Sequence, residues 1–258
     1  MAYVSLGERG HVGVIRLERP EALNAISGAL ADELADAAEE IATRDDVWVV
    51  VLGAAGDKAF CVGADLKERA SFTLDDYHSN RKQMLRMFAA LRALPQPSLA
   101  SVFGFALGGG LELALSCDVM VASEDARMGL PEARVGLLPA GGGTQLLTRR
   151  LGTSRAKEII FTGKRIDAHE ASALGLVAEV VPRAGLEERT MEWARRMCEA
   201  SPVSLREAKR CVEAAPGMPL GDGIALENES WARVVASDDR AEGVAAFNEK
   251  REPRWRNR

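Results

Sequence analysis

The segment from Gly104 to Ala114, GFALGGGLELA, constrains this chain more than any other. A β-prone run, SLASVFGF over residues 98–105, ends in three glycines, and strong helix formers follow at once. The backbone must therefore turn from strand into helix at Gly108, Gly109 and Gly110. A helix N-terminus leaves its first N–H groups without partners and carries the positive end of the helix dipole, while glycine lets a ligand approach closely. Such a turn suits a developing negative charge.

Glu112 follows in the first turn of that helix, where the dipole favours an acidic residue for structural reasons as well. Leu107, Leu111, Leu113, Ala114 and Leu115 surround it with apolar surface. Desolvation of that kind raises a carboxyl group towards the range useful for proton transfer. A second carboxylate, Glu132 after Pro131, comes twenty residues later. The intervening helix and strand each cover roughly 12–16 Å in opposite directions, which brings the chain back towards Glu112.

The strand and helix signals alternate on both sides of this segment. HVGVIRL (residues 11–17) and WVVVL (48–52) read as strands. Ser27 caps a helix with Leu30, Leu34, Ala37, Ala38 and Ile41 on one face, and Thr73 with Asp76 caps a long helix stopped by Pro95 and Pro97. The segment 60–66, FCVGADL, matches 105–111, FALGGGL, in its aromatic, glycine and leucine offsets. A strand-turn-helix unit used twice predicts stacked turns of a spiral with equivalent amides in equivalent places. A second glycine-rich entry, PAGGGTQLL (139–147), opens another helix; Asp167 and Glu170 form a capping box, and Val177–Val181 is a last strand. From about Gly185 the pattern is helical only. The chain thus divides into a catalytic core, residues 1–194, and a C-terminal helical region, residues 195–258, of the kind used in subunit packing.

Composition removes several classes. A net charge of -5 argues against a general nucleic-acid or anionic-membrane binder. The four cysteines are far apart, without a CxxC pair, as in a reducing, cytoplasm-like compartment. His169 lacks a histidine four positions on, so no zinc-protease helix is present, and the sequence holds no GxSxG, GxxxxGK or GxGxxG motif. The N-terminus alternates apolar, charged and glycine residues, unlike a signal peptide, and no apolar stretch approaches the ~20 residues a bilayer span needs.

In the order RPEALNAIS, AFCVGADL, GFALGGGLELALSCD, GLPEARVGLLPAGGGTQLL, TGKRIDAHEASALGLVAEVV and EGVAAFNEKREP, the sequence resembles the crotonase superfamily of enoyl-CoA hydratases and isomerases over almost its whole length. The resemblance implies an α/β fold, a crotonase-like spiral of ββα repeats with a C-terminal helical trimerisation region. It implies homo-hexamers built as dimers of trimers, an acyl-CoA thioester substrate, fatty-acid β-oxidation chemistry, and neither metal nor redox cofactor, CoA being part of the substrate. By the same resemblance, the Val62 and Gly109 N–H groups form the oxyanion hole. Glu132 protonates the α-carbon and Glu112 chiefly activates water, an order the sequence itself does not set. Ala22, Leu23, Gly63, Ala64, Asp65, Leu66, Gly108, Pro131 and Ala140 line the substrate path, and Lys250 with Arg251 meets CoA phosphates. Val62, Ala140 and Leu146 depart from the usual small residue, glycine and arginine. Retention of both glutamates favours hydration of a trans-2-enoyl-CoA. The alternatives are an isomerase, a hydratase of the methylglutaconyl-CoA type, and an RNA-binding member.

Overall fold

The computed structural model describes residues 2–258. Its first elements are β1 (Val4–Arg9), β2 (Val12–Leu17), α1 (Gly28–Ala42), β3 (Val49–Ala54), β4 (Ala59–Cys61), α2 (Leu66–Arg69) and α3 (Leu74–Arg92). Then come β5 (Ser98–Val102), β6 (Phe105–Leu107), α4 (Gly109–Leu115), β7 (Val119–Ser123), β8 (Arg127–Gly129), α5 (Gly143–Thr162), β9 (Ile166–Asp167), α6 (Ala168–Ala173) and β10 (Glu179–Val181). Four helices close the chain: α7 (Leu186–Cys198), α8 (Pro202–Ala214), α9 (Leu220–Val235) and α10 (Asp238–Glu249).

The strands form two sheets, ordered β1-β2-β3-β5-β7-β10 and β4-β6-β8-β9. Pairing is parallel except between β1 and β2 and between β8 and β9. Three successive strand pairs each place one strand in the large sheet and the next in the small one, so the chain winds as a spiral of ββα turns. Val49–Leu52 is buried on both faces, which is why that strand is apolar throughout; Ser98–Val102 is equally buried, its two serines bonded to Asp118 and Thr190. The buried stripe of α1 and the Met84, Met87, Phe88 and Leu91 side of α3 pack into the core beside them.

The two related segments occupy equivalent turns. β4 and β6 pair in parallel, with Cys61 opposite Ala106, so Gly63 and Gly108 both lie two residues beyond that pair. A bulge separates the aromatics: Phe60 is fully buried, whereas Phe105 is 37% exposed beneath the Arg165 guanidinium. Close approach explains the glycines, since a Cβ on Gly110 would lie 2.0 Å from the Cys61 carbonyl oxygen.

Several local expectations change. β1 has no counterpart in the sequence reading, because an exposed edge strand carries little apolar signal; the Glu33 carboxylate accepts the Tyr3 and Val4 N–H groups beside it. The expected capping box of α6 is half formed: Asp167 accepts the Glu170 N–H, but the Glu170 carboxylate turns to Lys164. A boundary at residue 194 falls inside α7, which lies on the large sheet through Leu186, Thr190, Met191 and Ala194. Packing thins only beyond Cys198, where Pro202 and Ser230 are the sole buried residues of α8 and α9. No helix among the described residues is long and apolar enough to cross a membrane.

Candidate active site

Where the spiral turns meet, a cleft of about 540 Å³ opens between the β4–α2 turn, the start of α4, α3, and the loop from Pro131 to Gly141. Glu112 and Glu132 both line it. So do Val62, Gly63, Ala64, Leu66, Gly108 and Gly109 from the two related turns, with Pro131 and Ala140 from the loop.

Glu112 is 3% exposed, and its Oε1 accepts the N–H groups of Gly141 and Gly143, each at 2.7 Å. The loop that supplies them is fixed from α3: Arg81 donates to the Ala140 carbonyl at 2.9 Å and Arg92 to the Gly141 carbonyl at 3.0 Å. Glycine is needed at position 141, where a Cβ would stand 2.2 Å from the Phe88 ring and 2.7 Å from Glu112 Oε2. Burial pushes the Glu112 carboxyl above its ordinary range, against the opposing pull of the two amides and of Arg81 and Arg92.

Glu132 begins a short 3-10 turn after Pro131 and has no such grip. Its Oε2 is buried without a hydrogen-bond partner, and Oε1 lies 2.9 Å from where a Cβ of Gly108 would be. Gly108 itself sits at φ +54, a backbone region that glycine enters without a Cβ penalty. Burial, opposed by its own backbone amide and assisted by the nearby Glu112 charge, pushes the Glu132 carboxyl up to about 7.

Backbone bonding decides which amides face the cleft free. The Val62 N–H, expected to be an oxyanion donor, instead points to the Leu23 carbonyl at 3.3 Å. Gly63 N–H meets Cys61 Sγ at 3.4 Å, and Asp65 N–H bonds the Ile26 carbonyl at 3.0 Å. Among the described residues, Ala64 N–H donates to no protein group, nor does Gly109 N–H in the first turn of α4. The two lie close together: a Cβ on Gly109 would stand 3.7 Å from the Ala64 nitrogen. The second amide of the pair is therefore Ala64, and Val62 contributes only its side chain.

Five other expected residues do not line the cleft. Ala22 and Leu23 fold into a 3-10 turn and its left-handed cap, where the Leu23 carbonyl receives Val62. Asp65 is spent on Arg19 at 2.6 Å and on capping α2 through the Lys67 and Glu68 N–H groups. Lys250 is the exposed left-handed cap of α10, and Arg251 pairs with Glu242 and Glu249. Conversely, sequence reasoning overlooked Arg69, Tyr77, Asn80 and Arg81, which line one wall. On α3 a signal was present: Asn80 and Arg81 interrupt the apolar face that runs through Tyr77, Met84 and Phe88.

A spiral of ββα turns that brings two carboxylates and two free amides into one cleft defines the crotonase fold class. A model of the family described as enoyl-CoA hydratase/isomerase matches residues 7–258, and the chain belongs to that family. A putative enoyl-CoA hydratase/isomerase of Bacillus subtilis is 41% identical to it, over 93% of each chain. The mitochondrial enoyl-CoA hydratase of Pongo abelii is 39% identical over 97% of this chain and 86% of its own. Among solved structures, an enoyl-CoA hydratase from Bacillus anthracis superposes with a TM-score of 0.97 at 39% identity, covering 99% of this chain and all of the other.

Proposed function

We propose that the protein is a trans-2-enoyl-CoA hydratase. The observation that carries this reading is the pairing of Glu112 and Glu132 in one cleft, beside the unpartnered N–H groups of Ala64 and Gly109. Adding water to an α,β-unsaturated thioester builds negative charge on the carbonyl oxygen. Two fixed amides aimed at that oxygen stabilise the enolate without reorganising, and losing one such donor typically costs ~3 kcal/mol.

The two carboxyl groups divide the remaining work by environment. Glu112, held by two amides in an acceptor-only role, takes a proton from the water as its oxygen bonds the β-carbon. The π electrons move onto the thioester oxygen. Glu132, whose carboxyl is pushed up to about 7, holds a proton near neutrality and delivers it to the α-carbon as the enolate collapses. The net change is addition of H and OH, and the pair resets when the proton taken by Glu112 returns to Glu132.

The reading includes assembly through the C-terminal helices, on which Val212, Leu220, Trp231 and Phe247 are exposed. Its direct test is the loss of conjugated thioester absorbance from a panel of trans-2-enoyl-CoA esters. Wild type turns over at least one of them, and Glu112→Gln and Glu132→Gln each lower kcat by about 10²- to 10⁴-fold. Undiminished hydration in both variants overturns the mechanism.

A further inference from the structure

A second cavity, of about 140 Å³, lies between the large sheet and the start of α7 and shares no lining residue with the cleft. Side chains alternate along a strand, so Val14 and Arg16 of β2 leave the face on which Gly13 meets Ile41 of α1. With their partners Val51 and Gly53 of β3 they face α7 instead. Nothing within the fold asks for glycine at position 53. Its φ is not left-handed, it pairs with Arg16 in the ladder, and a Cβ there would meet nothing within 4 Å. Glycine weakens a strand, and the space its side chain leaves open is room for another group.

The walls around that floor are cationic. Arg9, Arg16 and Arg183 line the cavity against one acid, Glu187. Glu187 is matched to Arg9 at 2.6 Å, and Arg16 has Glu18 at 3.6 Å. Among the described residues Arg183 has no carboxylate within ion-pair distance; Asp57 and Asp125 act on it only from further away, and the Arg16 charge opposes them. Arg183 is half-buried, with its guanidinium carbon 3.4 Å from the Phe103 ring centroid, and Nη2 donates to the Gly56 carbonyl at 3.1 Å. That stack holds the guanidinium in one orientation and leaves its other N–H donors unspent. Leu186 and Glu187 at the start of α7 also line the cavity, and Gly185 before them supplies no side-chain cap, so the positive end of a helix is added to the arginines.

We infer that this cavity is a phosphate site, taking inorganic phosphate or the phosphate of a small monoester, with Arg183 and Arg16 as its arms and Gly53 as the floor that makes room. Shape and charge select the ligand. A tetrahedral dianion offers oxygens to guanidinium forks on the sheet side and to a helix start at the same time, whereas a planar carboxylate offers one edge. The site stands apart from the reaction proposed for the cleft.

Calorimetric titration of the whole protein with inorganic phosphate, in a buffer free of other oxyanions, is expected to show one site with a Kd of about 1 mM or tighter, and acetate none. Gly53→Val fills the floor with a residue that strands favour, so without phosphate it is expected to keep the Tm of wild type and yet to weaken phosphate binding by about 10-fold or more. Arg183→Met weakens binding to a similar degree, and Arg183→Lys, which keeps the charge but not the fork, does so less. Wild-type affinity in both Gly53→Val and Arg183→Met overturns the inference, as does a loss produced instead by Arg81→Met in the cleft, or binding of acetate as tight as that of phosphate. Glycerol phosphate separates the two sources. Tighter binding than inorganic phosphate assigns a monoester, equal or weaker binding assigns the free ion, and binding of neither removes the site.

Discussion

Glu112 and Glu132 share one cleft but are held in opposite ways. Glu112 accepts two amides from a loop that α3 clamps through Arg81 and Arg92, so its carboxylate is fixed and its charged form is supported. Glu132 keeps one oxygen buried and unpartnered and relies on the absence of a side chain at Gly108 for room. The difference teaches that chemically identical side chains, both raised by burial, are opposed to different degrees by the backbone packed around them: two loop amides pull against the rise at Glu112, and no such pair does at Glu132.

The strongest way to break the contrast is to disturb one glutamate at a time through its glycine. Gly108→Ala puts a methyl group where Glu132 Oε1 needs to be and forces a left-handed φ on alanine, while Gly143→Ala crowds Glu112 Oε1 at 2.9 Å. Both variants are expected to lose kcat by about 10²-fold, the scale of a 1 Å misplacement in a catalytic group. If the roles differ as described, Gly108→Ala slows exchange of the α-proton of product with solvent more than Gly143→Ala does. Equal slowing of that exchange in the two would erase the distinction.

The spiral was legible because its turns repeat: the match between residues 60–66 and 105–111 is the pairing of β4 with β6, with Gly63 and Gly108 at equivalent places. The free amide was legible in the same match but assigned to the wrong residue: in the register that sets Gly63 against Gly108, the equivalent of Gly109 is Ala64 and not Val62, whose N–H goes to the Leu23 carbonyl. Glu112 and Glu132 stood out as acids in apolar or glycine-rich surroundings, but the amides of Gly141 and Gly143 that separate their roles come from a loop whose glycines read only as a helix entry. Arg69 and Arg81 were passed over because charged residues on a helix normally face solvent, and only the packing of α2 against α3 turns them inward.

A pH profile sharpens the comparison with a smaller effect. Catalysis needs Glu112 ionised and Glu132 protonated, so kcat/KM is expected to fall on the alkaline side with an apparent value about 7. The Glu112 charge helps hold that proton, so Glu112→Gln moves the Glu132 titration downwards when followed by carboxyl NMR. A titration unmoved by Glu112→Gln would mean that the carboxylates do not feel each other.

The smallest expected effect is on stability, and it has a definite sign. The Glu132 carboxyl lies near 4.5 when exposed and is pushed up to about 7 in the fold, so between these values the native state holds a proton that the unfolded chain releases. Stability from this group is therefore complete below the lower value and is lost as pH rises through the upper one. Glu132→Gln fills the same space, carries no charge at any pH and lacks that slope. Relative to wild type, its Tm is expected to be nearly unchanged at about pH 5 and higher at about pH 8, where each kcal/mol in a chain of this size moves Tm by about 2–4 °C. Glu112→Gln is expected to gain less, because burial raises the Glu112 carboxyl as well but the amides of Gly141 and Gly143 lose the charged acceptor they meet at 2.7 Å. Equal Tm shifts for the two variants at about pH 8 would show that the two sites are electrostatically alike, and the division of labour built on their difference would fail with it.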